Sequence, residues 1–259
     1  MGGRERCVCR LADGSAVFAP RVAPMLTAEL RPLQRRMLAS GHWFAGLPAS
    51  LQQALCEHAV VVTLRAGELL FQRGDANDGL YAVLDGAICF GAVNPEGKEA
   101  LVGLAESPQW FGEVALLDGG GRTHHAWADS DATLLHVPLA AIARWLADHP
   151  AHWQYIGRLA AHKLRVVFTA VEDAGLRPPR ERLIRCLVAL ASSYGERDPS
   201  PQPTVRVSQE RLGSILSLSR QTINVLLQGL EHEQLLVCMR GGVRILDFGR
   251  LRKLEASMP

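Results

Sequence analysis

The chain of 259 residues is 48% hydrophobic and 21% charged, with six cysteines and a formal charge of +2, a balance that suits a folded protein with room for two cores and excludes a disordered or collagen-like chain. No apolar run approaches the roughly eighteen residues of a spanning helix, and Arg4, Glu5 and Arg6 lead into no signal-peptide core, so a cytoplasmic protein with no membrane partner is expected. Charge is uneven: residues 25–175 carry 11 basic and 16 acidic side chains, whereas 176–259 carry 13 and 8, so the back half is the one expected to meet a polyanion.

Residues 1–24 hold Gly, Pro and charge without periodicity and read as a poorly ordered leader, with Met25 a candidate start. Cys7 and Cys9 have no companions at metal-site spacing and, with Cys56, Cys89, Cys186 and Cys238, are expected to be reduced thiols. Residues 26–40 and 48–58 carry helical patterns. From Val60 the runs VVVTL, GLYAVL, GAICFGAV and ATLLHV alternate with turn signals at Ala66-Gly67, Arg73-Gly74-Asp75, Asp85-Gly86 and Asn94-Pro95-Glu96-Gly97. That spacing predicts a small antiparallel β-roll, placed with its flanking helices in a sensor domain over 25–150.

One stretch of the roll, WFGEVALLDGGGRTHHAW from Trp110 to Trp127, has the makings of an anion site. Gly112 and Glu113 open a helical turn whose first N–H groups, through Val114 and Ala115, lack intrahelical partners and face any anion placed there. Arg122 can close on it with a forked pair of hydrogen bonds, Thr123 adds a hydroxyl, and His124 stands at the lip. Glu113 beside a phosphate is sensible if it accepts from a sugar hydroxyl. These features have the shape of a cyclic nucleotide site; the same residues also fit a polar hairpin with a surface arginine. An Arg122→Ala change is expected to remove the ligand and spare the fold.

After a helix at 139–147 and a break at His149-Pro150, a long helix spans 151–176. Trp153, Ile156, Ala160, Val167 and Ala170 form an apolar stripe with Lys163 in its gap, and Leu159 and Val166 form a second row. One row can pack on the roll, while two leave surface for a two-fold helix-helix dimer. Pro178-Pro179 ends the helix and opens a last domain at 177–259. It begins with a helix at 179–194 and a Pro/Ser-rich loop; then a strand at 204–207 leads to Ser208, which caps QERLGSIL. Ser217-Leu218 turns, and a second helix begins near Ser219. Leu212, Ile215, Ile223, Leu226 and Leu230 face inward, and Gly213 permits close approach. Arg220, Gln221, Asn224 and Val225 lie on the outer face, where Arg pairs with guanine and Gln or Asn with adenine. Ser208, Ser217 and Ser219 are candidate phosphate contacts, and Arg240 and Arg244 flank a hairpin wing.

The segments FGEVALLDGGGRT, the long helix to Asp173 and VSQERLGSILSLSRQTINVLLQGLE together resemble the cyclic-AMP receptor protein and FNR superfamily of bacterial transcription regulators, over residues 43–246. The resemblance implies an α+β chain: an N-terminal antiparallel β-roll, a dimerisation helix and a C-terminal winged helix-turn-helix. It implies a homodimer on a near-palindromic double-stranded operator, contact with RNA polymerase, and a small-molecule effector such as cyclic AMP, cyclic GMP or cyclic di-GMP held at Gly112, Glu113, Arg122 and Thr123. The chain departs from the family pattern in three places. His124 and His125 stand where small residues usually follow the Arg-Thr pair, Val167 and Phe168 where cyclic-AMP binders place Thr-Ser, and Gln221 and Val225 where the reading helix usually carries Glu and Arg. Three other readings compete: haem or metal at His124, His125 or His136, a regulator without ligand, and a regulatory subunit without DNA. An enzyme is disfavoured, since G-x-S-x-G, H-E-x-x-H and Walker motifs are absent.

Overall fold

The computed structural model describes residues 32–93 and 99–257. The leader, Met25, Cys7, Cys9, the start of the first expected helix and the turn at 94–97 lie outside the described residues. Three short helices, α1 (Pro32–Ala39), α2 (His42–Ala45) and α3 (Ala49–Glu57), precede the roll. Its strands are β1 (Val60–Leu64), β2 (Leu69–Phe71), β3 (Gly79–Asp85), β4 (Ala87–Val93), β5 (Glu99–Glu106), β6 (Trp110–Phe111), β7 (His125–Ala128) and β8 (Ala132–Pro138). They make two antiparallel sheets, ordered β1-β8-β3-β6 and β2-β7-β4-β5. Strand β3 shows why the roll needs helices around it: Tyr81 and Val83 point between the sheets, while Leu80, Ala82 and Leu84 point into a second core with Leu38, Leu51 and Ile142. A strand buried on both faces loses the polar alternation of a half-exposed one.

Helix α4 (Glu113–Asp118) is inserted between β6 and β7, and α5 (Leu139–Asp148) follows the roll. The long helix α6 (Trp153–Leu176) then begins after a single 3-10 turn at Pro150–His152. Its first half is part of the sensor core: Ile156 and Leu159 are fully covered and Trp153 packs against them. Trp153 and Ile156 therefore support the roll, contrary to the expectation of a dimer surface along the whole stripe. Farther along, Leu164, Val167, Phe168 and Val171 are 45–66% exposed, and Ala170 is exposed with them. Periodicity had identified a face, and the roll covers only its beginning.

The last domain contains α7 (Pro179–Ala191), β9 (Thr204–Val205), α8 (Gln209–Leu216), α9 (Arg220–His232), β10 (Leu236–Met239), β11 (Gly242–Ile245) and α10 (Phe248–Ala256). Helix α7 stops three residues short of its expected end because Ser193, Tyr194 and Gly195 take φ values of 50°, 55° and 85°. Ser208 and Ser219 cap α8 and α9, their Oγ atoms accepting from Arg211 N at 3.2 Å and Thr222 N at 3.0 Å. Leu227, not Leu226, takes the fully buried position of α9. The strands order β10-β11-β9, with the wing between β10 and β11. This domain does not stand apart. Leu183, Leu187, Leu212 and Ile223 share one core with Ala87, Cys89, Leu101 and Leu104 of β4 and β5. Among the described residues, no helix is long and apolar enough to cross a membrane, and Cys56, Cys89, Cys186 and Cys238 form no disulfide with one another.

The turn between α8 and α9 depends on Gly213, where an added Cβ would lie 2.7 Å from the Leu218 carbonyl oxygen, whereas at Gly229 on α9 nothing lies within 4 Å. Gly213→Ala is expected to destabilise the chain by roughly 1–3 kcal/mol in urea titration. Gly229→Ala is expected to be stabilising by up to about 1 kcal/mol, because it removes only backbone entropy.

Candidate functional site

A cavity of about 480 Å³ opens between the roll, α4 and α6. Its polar end is the stretch singled out in the sequence. Gly112 enters α4 at φ 100°, and a Cβ there would lie 2.7 Å from the Gly79 carbonyl oxygen and 2.8 Å from Arg122 Nη1, so glycine is required for the arginine to pass. Arg122 is 3% exposed and built into the wall. It donates to Asp78 and to the Gly79 carbonyl at 2.8 Å, reaches the Gly112 carbonyl at 3.5 Å, and lies 4.5 Å over the Phe71 ring. Removing it would strand the carbonyls and open the core beside Phe71, so the expectation that Arg122→Ala spares the fold is corrected. Glu113, also 3% exposed, accepts from Lys163 Nζ at 2.8 Å. Here too a reading changes: the carboxylate has a partner within the chain, and Lys163 interrupts the apolar stripe of α6 in order to reach it.

Ala115 is buried in α4 and Val114 is 41% exposed; both line the cavity, as do Thr123, His124, Ala160 and Val167. Thr123 Oγ1 lies 3.0 Å from His124 Nδ1, and burial followed by the charge of Arg73 lowers the His124 pKa. His125 Nδ1 accepts from Arg73 N at 3.3 Å, while His136 stacks on Tyr81 at 4.4 Å and donates from Nε2 to the Asp78 carbonyl at 3.0 Å. The three imidazoles thus answer to separate neighbours. Among the described residues, no three His, Cys, Asp or Glu side chains are grouped to hold a metal ion.

Sequence reasoning missed the far wall of the cavity, which comes from the segment after α7. Ser193, Tyr194 and Glu196 line it. Sensor side chains hold this segment by its carbonyls: Gln109 Nε2 donates to Ser193 O at 2.9 Å, His162 Nε2 to Tyr194 O at 2.9 Å, and His42 Nδ1 to Gly195 O at 2.8 Å. The Glu196 carboxylate accepts from Trp43 N at 3.1 Å and lies 3.7 Å from His162 Nε2. No local pattern announces these contacts, because they join positions far apart in sequence and three of the acceptors are backbone.

On the other surface, Arg220, Gln221 and Val225 of α9 and Arg240 and Arg244 of the wing are exposed. Asn224 is half-buried, its Oδ1 accepting from Gln209 Nε2 at 3.3 Å. Of the three serines expected at phosphates, Ser208 and Ser219 commit their oxygens to helix capping and Ser217 is the left-handed residue of the turn, φ 53°. Arg211 of α8 pairs with Asp129 of the roll at 2.9 Å.

Two outcomes follow from this geometry. Lys163→Met leaves Glu113 buried without its cation and is expected to cost about 1–3 kcal/mol of unfolding free energy, below the value for a fully buried pair because Lys163 keeps solvent contact. The double variant with Glu113→Gln should recover part of that loss. Burial holds His136 below its ordinary value of 6.5, partly opposed by its bond to the Asp78 carbonyl. The fold favours the neutral ring, so its contribution is complete above the unfolded pKa and is lost as pH falls below it. Wild-type protein is expected to lose more stability between pH 7.5 and pH 5.5 than His136→Phe, as read by urea midpoints.

Residues 61–149 match the cyclic nucleotide-binding domain family and residues 181–254 the Crp-like helix-turn-helix domain family. The chain is 26% identical over 218 residues to the CRP-like cAMP-activated global transcriptional regulator of Mycobacterium tuberculosis, an overlap of 84% of this chain and 97% of that one. Its fold is that of FixK2 from Bradyrhizobium japonicum, with a TM-score of 0.68 at 17% identity over 78% of this chain and 99% of the other. The c-di-GMP responsive regulator CLP of Xanthomonas campestris aligns with a TM-score of 0.59 at 19% identity, over 76% and 99% of the two chains. With a nucleotide-binding-type roll, a long connecting helix and a Crp-like reading domain in that order, the chain belongs to the cyclic-AMP receptor protein and FNR superfamily of transcription regulators.

Proposed function

We propose that this regulator is a homodimer whose affinity for a near-palindromic operator is set by a small anionic effector of the cyclic nucleotide class bound in the cavity, and that it acts through RNA polymerase. The observation that carries this reading is the composition of the cavity wall: one face comes from α4 and α6, and the opposite one from the segment that leads into the reading domain. An effector that needs the room taken by this segment therefore displaces it, and so acts on both domains. Asp78, whose carboxylate meets the Arg122 guanidinium through a single Oδ1–Nη2 contact, marks a place where an anion is accepted, and a phosphate oxygen takes that place in this reading. The exposed row Leu164, Val167, Phe168 and Val171 supports a second copy along α6.

The docked arrangement is the one of low DNA affinity in this reading. Arg211, on the helix that crosses the phosphate backbone in such domains, is committed to Asp129. Effector binding shifts the population toward undocked domains, by as much as its affinity differs between the two arrangements.

Thermal melting against cyclic AMP, cyclic GMP and cyclic di-GMP tests the effector. A ligand at one hundred times its Kd is expected to stabilise the fold by about 2.7 kcal/mol; no shift with any of the three at millimolar concentration would remove the cyclic nucleotide reading. Arg220→Ala is expected to relax preference at one base per half-site at a cost of about 1–3 kcal/mol, measured by anisotropy on an operator selected from random DNA.

A further inference from the structure

The reading helix carries one side chain that its polar neighbours do not explain. Val225 is 61% exposed on α9, set one turn beyond Gln221 on the same face, with Gln228 exposed in the turn after it. Nothing within the chain needs it there, because the core side of α9 is already supplied by Ile223, Leu227 and Leu230, all fully buried. Valine also has a lower helix propensity than the straight-chain residues that usually fill exposed positions. Its neighbours point to DNA as the surface it meets. Arg220 and Gln221 are exposed one turn before it, whereas Asn224 is half-buried and its amide oxygen accepts from Gln209, so Arg220 and Gln221 are the polar side chains that stand out beside Val225.

A valine in the major groove has one complementary feature among the base edges. The donors and acceptors presented there would be desolvated by valine without return, and the C5 methyl of thymine is the one apolar group that projects into the groove. We infer that Val225 is a specificity-determining residue that selects thymine by packing on its methyl group. The inference rests on the reading of α9 as the DNA-recognition helix and deepens it. One helical turn advances about 5.4 Å and stacked bases are spaced about 3.4 Å apart, so the thymine lies within two base pairs of the base read by Gln221. The half-site then combines a guanine at Arg220, an adenine at Gln221 and this thymine.

Deoxyuridine differs from thymine only in lacking the methyl, so it isolates the contact. The experiment selects an operator from random DNA with the full-length protein, replaces each thymine of a half-site in turn by deoxyuridine, and measures affinity by fluorescence anisotropy for wild type and for Val225→Ala. In wild type, deoxyuridine at one position per half-site is expected to weaken binding roughly fourfold, the value of one buried methyl group; Val225→Ala should bind the thymine operator with a similar loss and show no further loss at that position. The inference is overturned if no thymine-to-deoxyuridine change weakens wild type, or if Val225→Ala retains the full sensitivity. It is overturned as well if Val225→Ala changes the oligomeric state in sedimentation and leaves the deoxyuridine profile intact, since the valine would then face another copy of the chain. Failure to select any sequence, both without effector and with each of the three cyclic nucleotides present, would instead refute DNA reading by α9, a separate result. The substituted side chain is exposed, so Val225→Ala is expected to melt with the wild type.

Discussion

Three successive backbone carbonyls, those of Ser193, Tyr194 and Gly195, are bound by Gln109, His162 and His42, side chains from three separate parts of the sensor domain. The rest of the arrangement depends on this capture. A left-handed backbone costs roughly 1–2 kcal/mol for each non-glycine residue, and Ser193 and Tyr194 both adopt it. Hydrogen bonds of about 0.5–1.5 kcal/mol each offset that cost, the one from Gln109 buried, that from His162 part-buried and that from His42 exposed. Local bonds close the same turn, with Tyr194 N donating to Ala189 O at 2.6 Å and Gly195 N to Ser192 O at 3.0 Å, so the sensor contacts fix the place of a turn that α7 already forms, and this segment closes one wall of the cavity.

The electrostatics of the cavity point the same way. Glu113 is neutralised by Lys163 and Arg122 by Asp78, so both buried charges have partners inside the chain. An anionic effector has to compete with a carboxylate for the guanidinium, and a hydroxyl that reaches Glu113 has to share it with Lys163. Affinity is lowered by that competition, while the consequence of binding is enlarged: displacing Lys163 acts on α6, and displacing Asp78 acts on the turn before β3. Lys163 lies one residue from Leu164, the first of the exposed apolar row. Any shift there is transmitted to the face proposed to meet the second copy.

Much of this was legible in the sequence. The helix-turn-helix could be read almost to the residue because its signals are local: serine caps, a small residue at the close approach, and buried leucines at helical spacing. Gly112, Arg122 and Thr123 were likewise visible as one short stretch. Other features depend on distant pairs. Lys163 looked like a gap in an apolar stripe because its partner is 50 positions away, and Ile156 looked like a dimer contact because periodicity does not record which body covers a face. The strands β2, β6 and β7 carry too few residues to stand out from turns, and β5, though eight residues long, carries too little alternation. The capture of residues 193–195 had no sequence signal, since the captured atoms are main-chain.

If the held segment is what keeps the reading domain docked, releasing one carbonyl should mimic the effector. The direct measurement is operator affinity without effector, compared between wild type and Gln109→Ala, the variant that frees the Ser193 carbonyl. Tighter effector-free binding by the variant, with a smaller further gain on adding effector, is the predicted result. Equal or weaker binding by a folded Gln109→Ala would contradict the account.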